Sequence, residues 1–132
     1  MTNLLDGITA RTVSTSRLVM NVLSVRDAGD PVLFVHGNVS SSLFWQEQML
    51  ALPGSYRPLA VDLRGFGDTE PLPVDATRGV GDYADDVAAL VDALSLGPVH
   101  LIGWSMGGGV VLRLLRDRPT AARTVTLVAP VS

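Results

Sequence analysis

Val99-His100-Leu101-Ile102-Gly103-Trp104-Ser105-Met106-Gly107 is the stretch that decides the fold. Val99 to Ile102 is a short apolar run behind Gly97-Pro98, which reads as a buried strand. From about Met106 to Arg118 the pattern is helical, and Pro119 stops it. The pentapeptide Gly-x-Ser-x-Gly therefore falls on the bend between a strand and a helix. A serine hydroxyl is a weak nucleophile unless it is exposed, oriented and deprotonated by a neighbour. A sharp strand-to-helix turn meets the first two needs by lifting Ser105 above the sheet edge. Gly103 and Gly107 follow sterically, because a Cβ at either would strike the turned backbone or the adjacent strand. The helix N-terminus aims free N–H groups at the same point, and the amide of Met106 is placed to face a developing oxyanion.

Upstream, Pro31-Val32-Leu33-Phe34-Val35 is a second apolar run, read as a central strand buried on both faces. It ends in His36-Gly37-Asn38, where the backbone N–H of Asn38 is the candidate second oxyanion donor, with its side-chain amide in reserve. His36 reads as a structural residue that braces this loop. Arg11 to Val25 has strand composition with a break near Ser16-Arg17, giving two early strands. Ser40 to Leu52 is expected to be a helix ended by Pro53-Gly54, and Arg57 to Leu63 a strand. Residues 68–80, with Pro71, Pro73 and Gly79, read as a surface excursion. Asp82 opens a helix whose Tyr83, Val87, Leu90, Val91 and Leu94 form one apolar stripe, with Asp85, Asp86 and Asp92 off it. Thr124 to Ala129 is a last strand. Alternating strands and helices of this kind define an α/β class with a mostly parallel sheet and flanking helices.

Composition narrows the chemistry. At 132 residues the chain has room for one domain, and 47% hydrophobic residues suffice for a packed core. A net charge of −3 with scattered arginines argues against a nucleic-acid partner. The absence of cysteine removes disulfides, thiolate zinc sites and a Cys nucleophile. No metal or cofactor is expected. The N-terminus carries no basic segment followed by an apolar run, and no stretch nears the roughly 18 apolar residues of a membrane span. The expected setting is the cytoplasm, with no membrane partner.

His36-Gly37-Asn38, then Asp62-Leu63-Arg64-Gly65-Phe66-Gly67-Asp68, then Gly103-Trp104-Ser105-Met106-Gly107-Gly108 resembles, in that order, the α/β-hydrolase superfamily in its esterase, lactonase and peroxidase-like branch. The resemblance runs from about Arg11 to Val131 and specifies fold far more than substrate. It implies that Ser105 is the nucleophile, and that Asp62 and Arg64 belong to a mainly structural segment. The loop Asn38, Ser40-Ser41-Ser42, Phe44-Trp45 also looks like that of haloalkane dehalogenases. Those enzymes use an aspartate commonly followed by tryptophan, whereas here a serine follows Trp104, which disfavours dehalogenation and epoxide hydrolysis. By the same resemblance the strand at Thr124 is the sixth of eight. Residues 1–132 are then expected to be an incomplete core domain that stops before the cap and the C-terminal strands.

The family order of triad residues is serine, acid, histidine. No histidine follows Ser105, and the one later acid, Asp117, lies roughly 18 Å away at 1.5 Å per helical residue. His100 starts the strand that ends at Ser105, roughly 16 Å off. The acid and base are expected outside these residues, and the chain alone is expected to turn over little substrate. The expected function is hydrolysis of a small ester-like or activated acyl substrate through an acyl-serine. Trp104, Phe44 and Trp45 are candidates to line an apolar acyl pocket, with core packing the competing role for Phe44 and Trp45. An acyltransferase and a non-catalytic binding module remain the other readings. The open sheet edge is expected to meet the missing part of the fold or a second copy.

Overall fold

A computed structural model describes residues 3–130. Its centre is β3 (Asp30–Val35), which pairs in parallel with β4 (Tyr56–Val61) on one side and β5 (Val99–Trp104) on the other. Both of its faces are buried, as a run without polar alternation requires. Leu33 and Val35 point into one core with Leu59, Val61 and Leu101; Val32 and Phe34 point into the other with Leu23 and Ala60. The side-chain period of two thus sorts one strand into two cores.

The two early strands are β1 (Thr9–Ser14) and β2 (Val19–Ser24), an antiparallel pair broken at residues 15–18. With β6 (Ala122–Val128) parallel to β5, the six-stranded order is β1-β2-β4-β3-β5-β6. The β6 edge carries no further strand among the described residues, and Val125 and Val128 stand exposed there.

Helices α2 (Gly81–Ala93) and α3 (Met106–Asp117) cover the first face, burying Val87, Leu90, Val91, Val110, Val111 and Leu114. Asp86 corrects the polar side expected for α2: it is fully buried. Its carboxylate accepts two bonds from Arg64, both at 2.8 Å, and one from Arg17 at 2.7 Å. The Asp86 hydrogen bonds also hold the Arg64 guanidinium above its usual pKa. Such a bidentate pair is what makes a buried charge tolerable.

The second face is covered by less helix than Ser40 to Leu52 promised. A 3₁₀ turn, Ser42–Trp45, precedes the short α1 (Gln46–Ala51). The Ser41 hydroxyl accepts from Leu43 N–H, while Ser42 N–H is taken at 2.7 Å by the Asp62 carboxylate. These bonds tighten the first turn, and Leu52 turns extended ahead of Pro53. No helix among the described residues is long and apolar enough to cross a membrane.

Candidate active site

All four parallel strands deliver their C-terminal ends to one edge of the sheet, and Ser105 sits there between β5 and α3. Its backbone lies at φ 54°, ψ −120°, a conformation that side chains other than glycine rarely adopt. Strain of this kind costs on the order of 1–3 kcal/mol and persists only where the surroundings enforce it. They do so here. Ser105 N–H donates to the Val128 carbonyl at 2.9 Å, and Ser105 C=O accepts from Gly108 N–H at 2.9 Å.

Packing closes the bend. A Cβ on Gly103 would come within 2.5 Å of the Gly107 carbonyl oxygen. One on Gly107 would overlap the Val35 carbonyl and reach 2.5 Å from that of His36. The glycines are therefore the condition for α3 to start directly against β3. The Ser105 side chain is partly exposed, and its hydroxyl makes no hydrogen bond among the described residues.

The His36-Gly37-Asn38 loop lies against this bend. A Cβ on Gly37 would be 2.9 Å from the Trp104 ring and 3.1 Å from Ser105 Cβ. Asn38 is exposed, and its side-chain oxygen accepts from Val39 N–H at 3.0 Å. The backbone N–H groups of Asn38 and Met106 donate to nothing among the described residues. Val39 also takes a positive φ of 53°, so the turns after β3 and after β5 both hold backbone under strain.

His36 is fully buried beneath the loop. Leu63 N–H donates to its Nε2 at 2.9 Å, and its Nδ1 contacts the Gly37 carbonyl at 2.7 Å. A backbone N–H only donates and a carbonyl only accepts, so the ring is the neutral Nδ1–H tautomer. Burial pushes its pKa below the ordinary 6.5, against the opposing pull of the Gly37 bond and the Asp62 charge. With both nitrogens engaged it has none left for Ser105.

The second histidine is at the far edge, where His100 Nδ1 and the Thr124 hydroxyl bond at 2.6 Å. Asp117 ends α3 and pairs with Arg113 and Arg116.

The aromatic candidates separate. Trp104 and Phe44 stack face to face, ring centroids 4.3 Å apart and 7° from parallel. Phe44 is 44% exposed, so this stack forms a surface next to Ser105. Trp45 is 4% exposed and packs on Phe34 at 4.9 Å within the second core. Its place on the 3₁₀ turn points it down into the sheet, which makes it core and not pocket wall.

The role of Asp62 needed the fold to be seen. It accepts from the Asn21 side chain at 2.9 Å and from Asp68 N–H at 3.0 Å as well as from Ser42. That ties the far end of the loop after β3 to β2 and β4. A groove of about 450 Å³ lined by Val80, Met106, Gly109 and Leu112 runs alongside α3 without including Ser105.

Known proteins share this fold. The alpha/beta hydrolase fold family matches residues 30–132. The probable lysophospholipase BODYGUARD 4 of Arabidopsis thaliana is 34% identical over 110 residues, 81% of this chain and 26% of that protein. Epoxide hydrolase VrEH1 of Vigna radiata superposes with a TM-score of 0.84 at 33% identity, over 93% of this chain and 40% of that one. For the haloalkane dehalogenase DatA of Agrobacterium tumefaciens C58 the values are 0.82, 30%, 95% and 42%. The chain spans between 23% and 43% of the length of the curated relatives it matches. From its motif order, its sheet and these likenesses together, the chain belongs to the alpha/beta hydrolase fold family.

Proposed function

We propose that the chain supplies the nucleophile and oxyanion hole of a serine hydrolase acting on an ester-like or otherwise activated acyl substrate. The observation that carries this reading is the backbone at Ser105, held at φ 54° with its hydroxyl unpaired and partly exposed. Ser105 Oγ attacks the acyl carbon as its proton passes to a base. The Asn38 and Met106 N–H groups hold the oxyanion, the leaving group departs, and water releases the acyl-serine. Neither His36 nor His100 is placed to be that base, so the reading assigns it to a histidine outside these residues. The Phe44–Trp104 stack offers an apolar wall for the acyl group.

A hydroxyl here also favours acyl chemistry over dehalogenation or epoxide opening. Serine attack on an alkyl carbon would leave an ether that water cannot release, whereas attack on an acyl carbon leaves a hydrolysable ester.

A fluorophosphonate probe tests the proposal. The whole protein, with the residues that supply the base, is expected to gain one adduct, mapped by peptide mass spectrometry to Ser105 and absent from Ser105→Ala. Natively folded protein that takes no label after prolonged exposure to excess probe would favour a non-catalytic binding module instead.

A further inference from the structure

We infer that His36 is the positioning residue that sets which way the Asn38 N–H points, and so keeps the oxyanion amide turned outward. The inference rests on the nucleophile reading of Ser105 and adds a control element to that site. Gly37 must lack a side chain, because a Cβ would meet Trp104 at 2.9 Å. The same glycine leaves the 37–38 peptide free to rotate. Half a turn of that peptide would present its carbonyl, not its N–H, and a carbonyl repels a developing oxyanion. Sterics therefore demand a residue that leaves the orientation undetermined.

The imidazole supplies what glycine removes. Its Nδ1–H holds the Gly37 carbonyl on the buried side at 2.7 Å. No peptide in the described chain is cis, and in a trans peptide C=O and N–H point in opposite directions. The Asn38 N–H is thereby directed away from the buried ring. The ring is itself fixed: Nε2 accepts Leu63 N–H at 2.9 Å, and Phe66 meets it edge-on at 5.3 Å. Rotating it would orphan two buried backbone groups at once, the Leu63 N–H and the Gly37 carbonyl.

The clamp is proton-sensitive. A second proton on Nε2 would set one donor against the Leu63 N–H. Burial resists that proton, while the Gly37 carbonyl bond and the Asp62 charge favour it. The carbonyl bond at Nδ1 survives protonation, but the anchor at Leu63 does not.

The test uses the whole protein, base-supplying residues included, ¹⁵N-labelled, with folding checked by circular dichroism. In folded His36→Ala the Asn38 amide resonance is expected to shift or broaden, and fluorophosphonate labelling of Ser105 to slow at least about tenfold. His36→Gln, whose amide offers one acceptor and one donor, is expected to recover part of both. A folded His36→Ala that keeps the wild-type Asn38 resonance and labelling rate overturns the inference. Should wild type not label at all, the nucleophile reading fails, and the Asn38 resonance alone decides the positioning claim. Should His36→Ala not fold, the ¹⁵N resonances of the wild-type His36 ring at neutral pH decide. A ring protonated at Nδ1 and bare at Nε2 supports the clamp; the opposite tautomer, which cannot donate to the Gly37 carbonyl, overturns it.

Discussion

The two edges of the sheet carry similar inventories and very different structures. At the strand starts, the Thr124 hydroxyl bonds His100 Nδ1 at 2.6 Å, and His100 Nε2 lies 3.8 Å from Asp30. Hydroxyl, imidazole and carboxylate stand in sequence, yet Thr124 sits within a regular strand and Asp30 is shared with Arg123 at 3.6 Å. At the strand ends, Ser105 has no base in reach among the described residues, but it has a strained turn and, among those residues, an unpaired hydroxyl and two unpartnered amides. Side chains alone do not make a site. Parallel strands place helix N-termini and connecting loops at their C-terminal edge, and that edge alone supplies converging N–H donors.

Packing at the strand ends should be unforgiving where packing at the strand starts is slack. Gly107→Ala drives a methyl into the Val35 and His36 carbonyls and should cost at least about 3 kcal/mol in urea unfolding. Thr124→Ala and His100→Ala should stay within about 0.5 kcal/mol. Equal losses at both edges would break the contrast.

A smaller effect at the strand ends is read by pH. His36 has a folded pKa below its unfolded 6.5, so below that pH the unfolded chain binds more protons. Its contribution to stability is complete above about pH 6.5 and declines as pH falls through that value toward the folded pKa. Unfolding midpoints measured from pH 7.5 to 5 should therefore fall less steeply in His36→Gln than in wild type.

The smallest expected effect is of opposite sign. Ser105→Gly relieves a positive φ and should stabilise the fold by about 1 kcal/mol, the flexibility of unfolded glycine offsetting part of the strain. Thr124→Gly, in a strand, should destabilise by a similar amount. A Ser105→Gly chain less stable than wild type would mean that this turn stores no strain.

Most of the frame was legible in the residues. Runs such as Val32 to Val35 and Val99 to Ile102 are too short and too apolar to be anything but buried strands in an alternating α/β pattern, and both lie at the sheet centre. Legibility failed where a tertiary partner competes with local preference. Ser40 to Leu52 has a good cap and a clear stop, but the Asp62 carboxylate, twenty residues on from Ser42, captures an N–H and tightens the start into a 3₁₀ turn. Asp86 reads as solvent-facing until Arg64 and Arg17 are seen to close over it. Trp45 reads as well for a pocket as for a core until the turn beneath it is known.

Sequence by itself determined the class of fold, the bend at Ser105 and the need for glycine on both sides of it, because these follow from period, punctuation and the bulk of a Cβ. Only the tertiary structure decided which histidine is spoken for, which aromatics stack at the surface beside Ser105 and which carboxylates are buried. Those outcomes depend on groups far apart in the chain meeting at hydrogen-bond distance, and no local pattern encodes such a meeting.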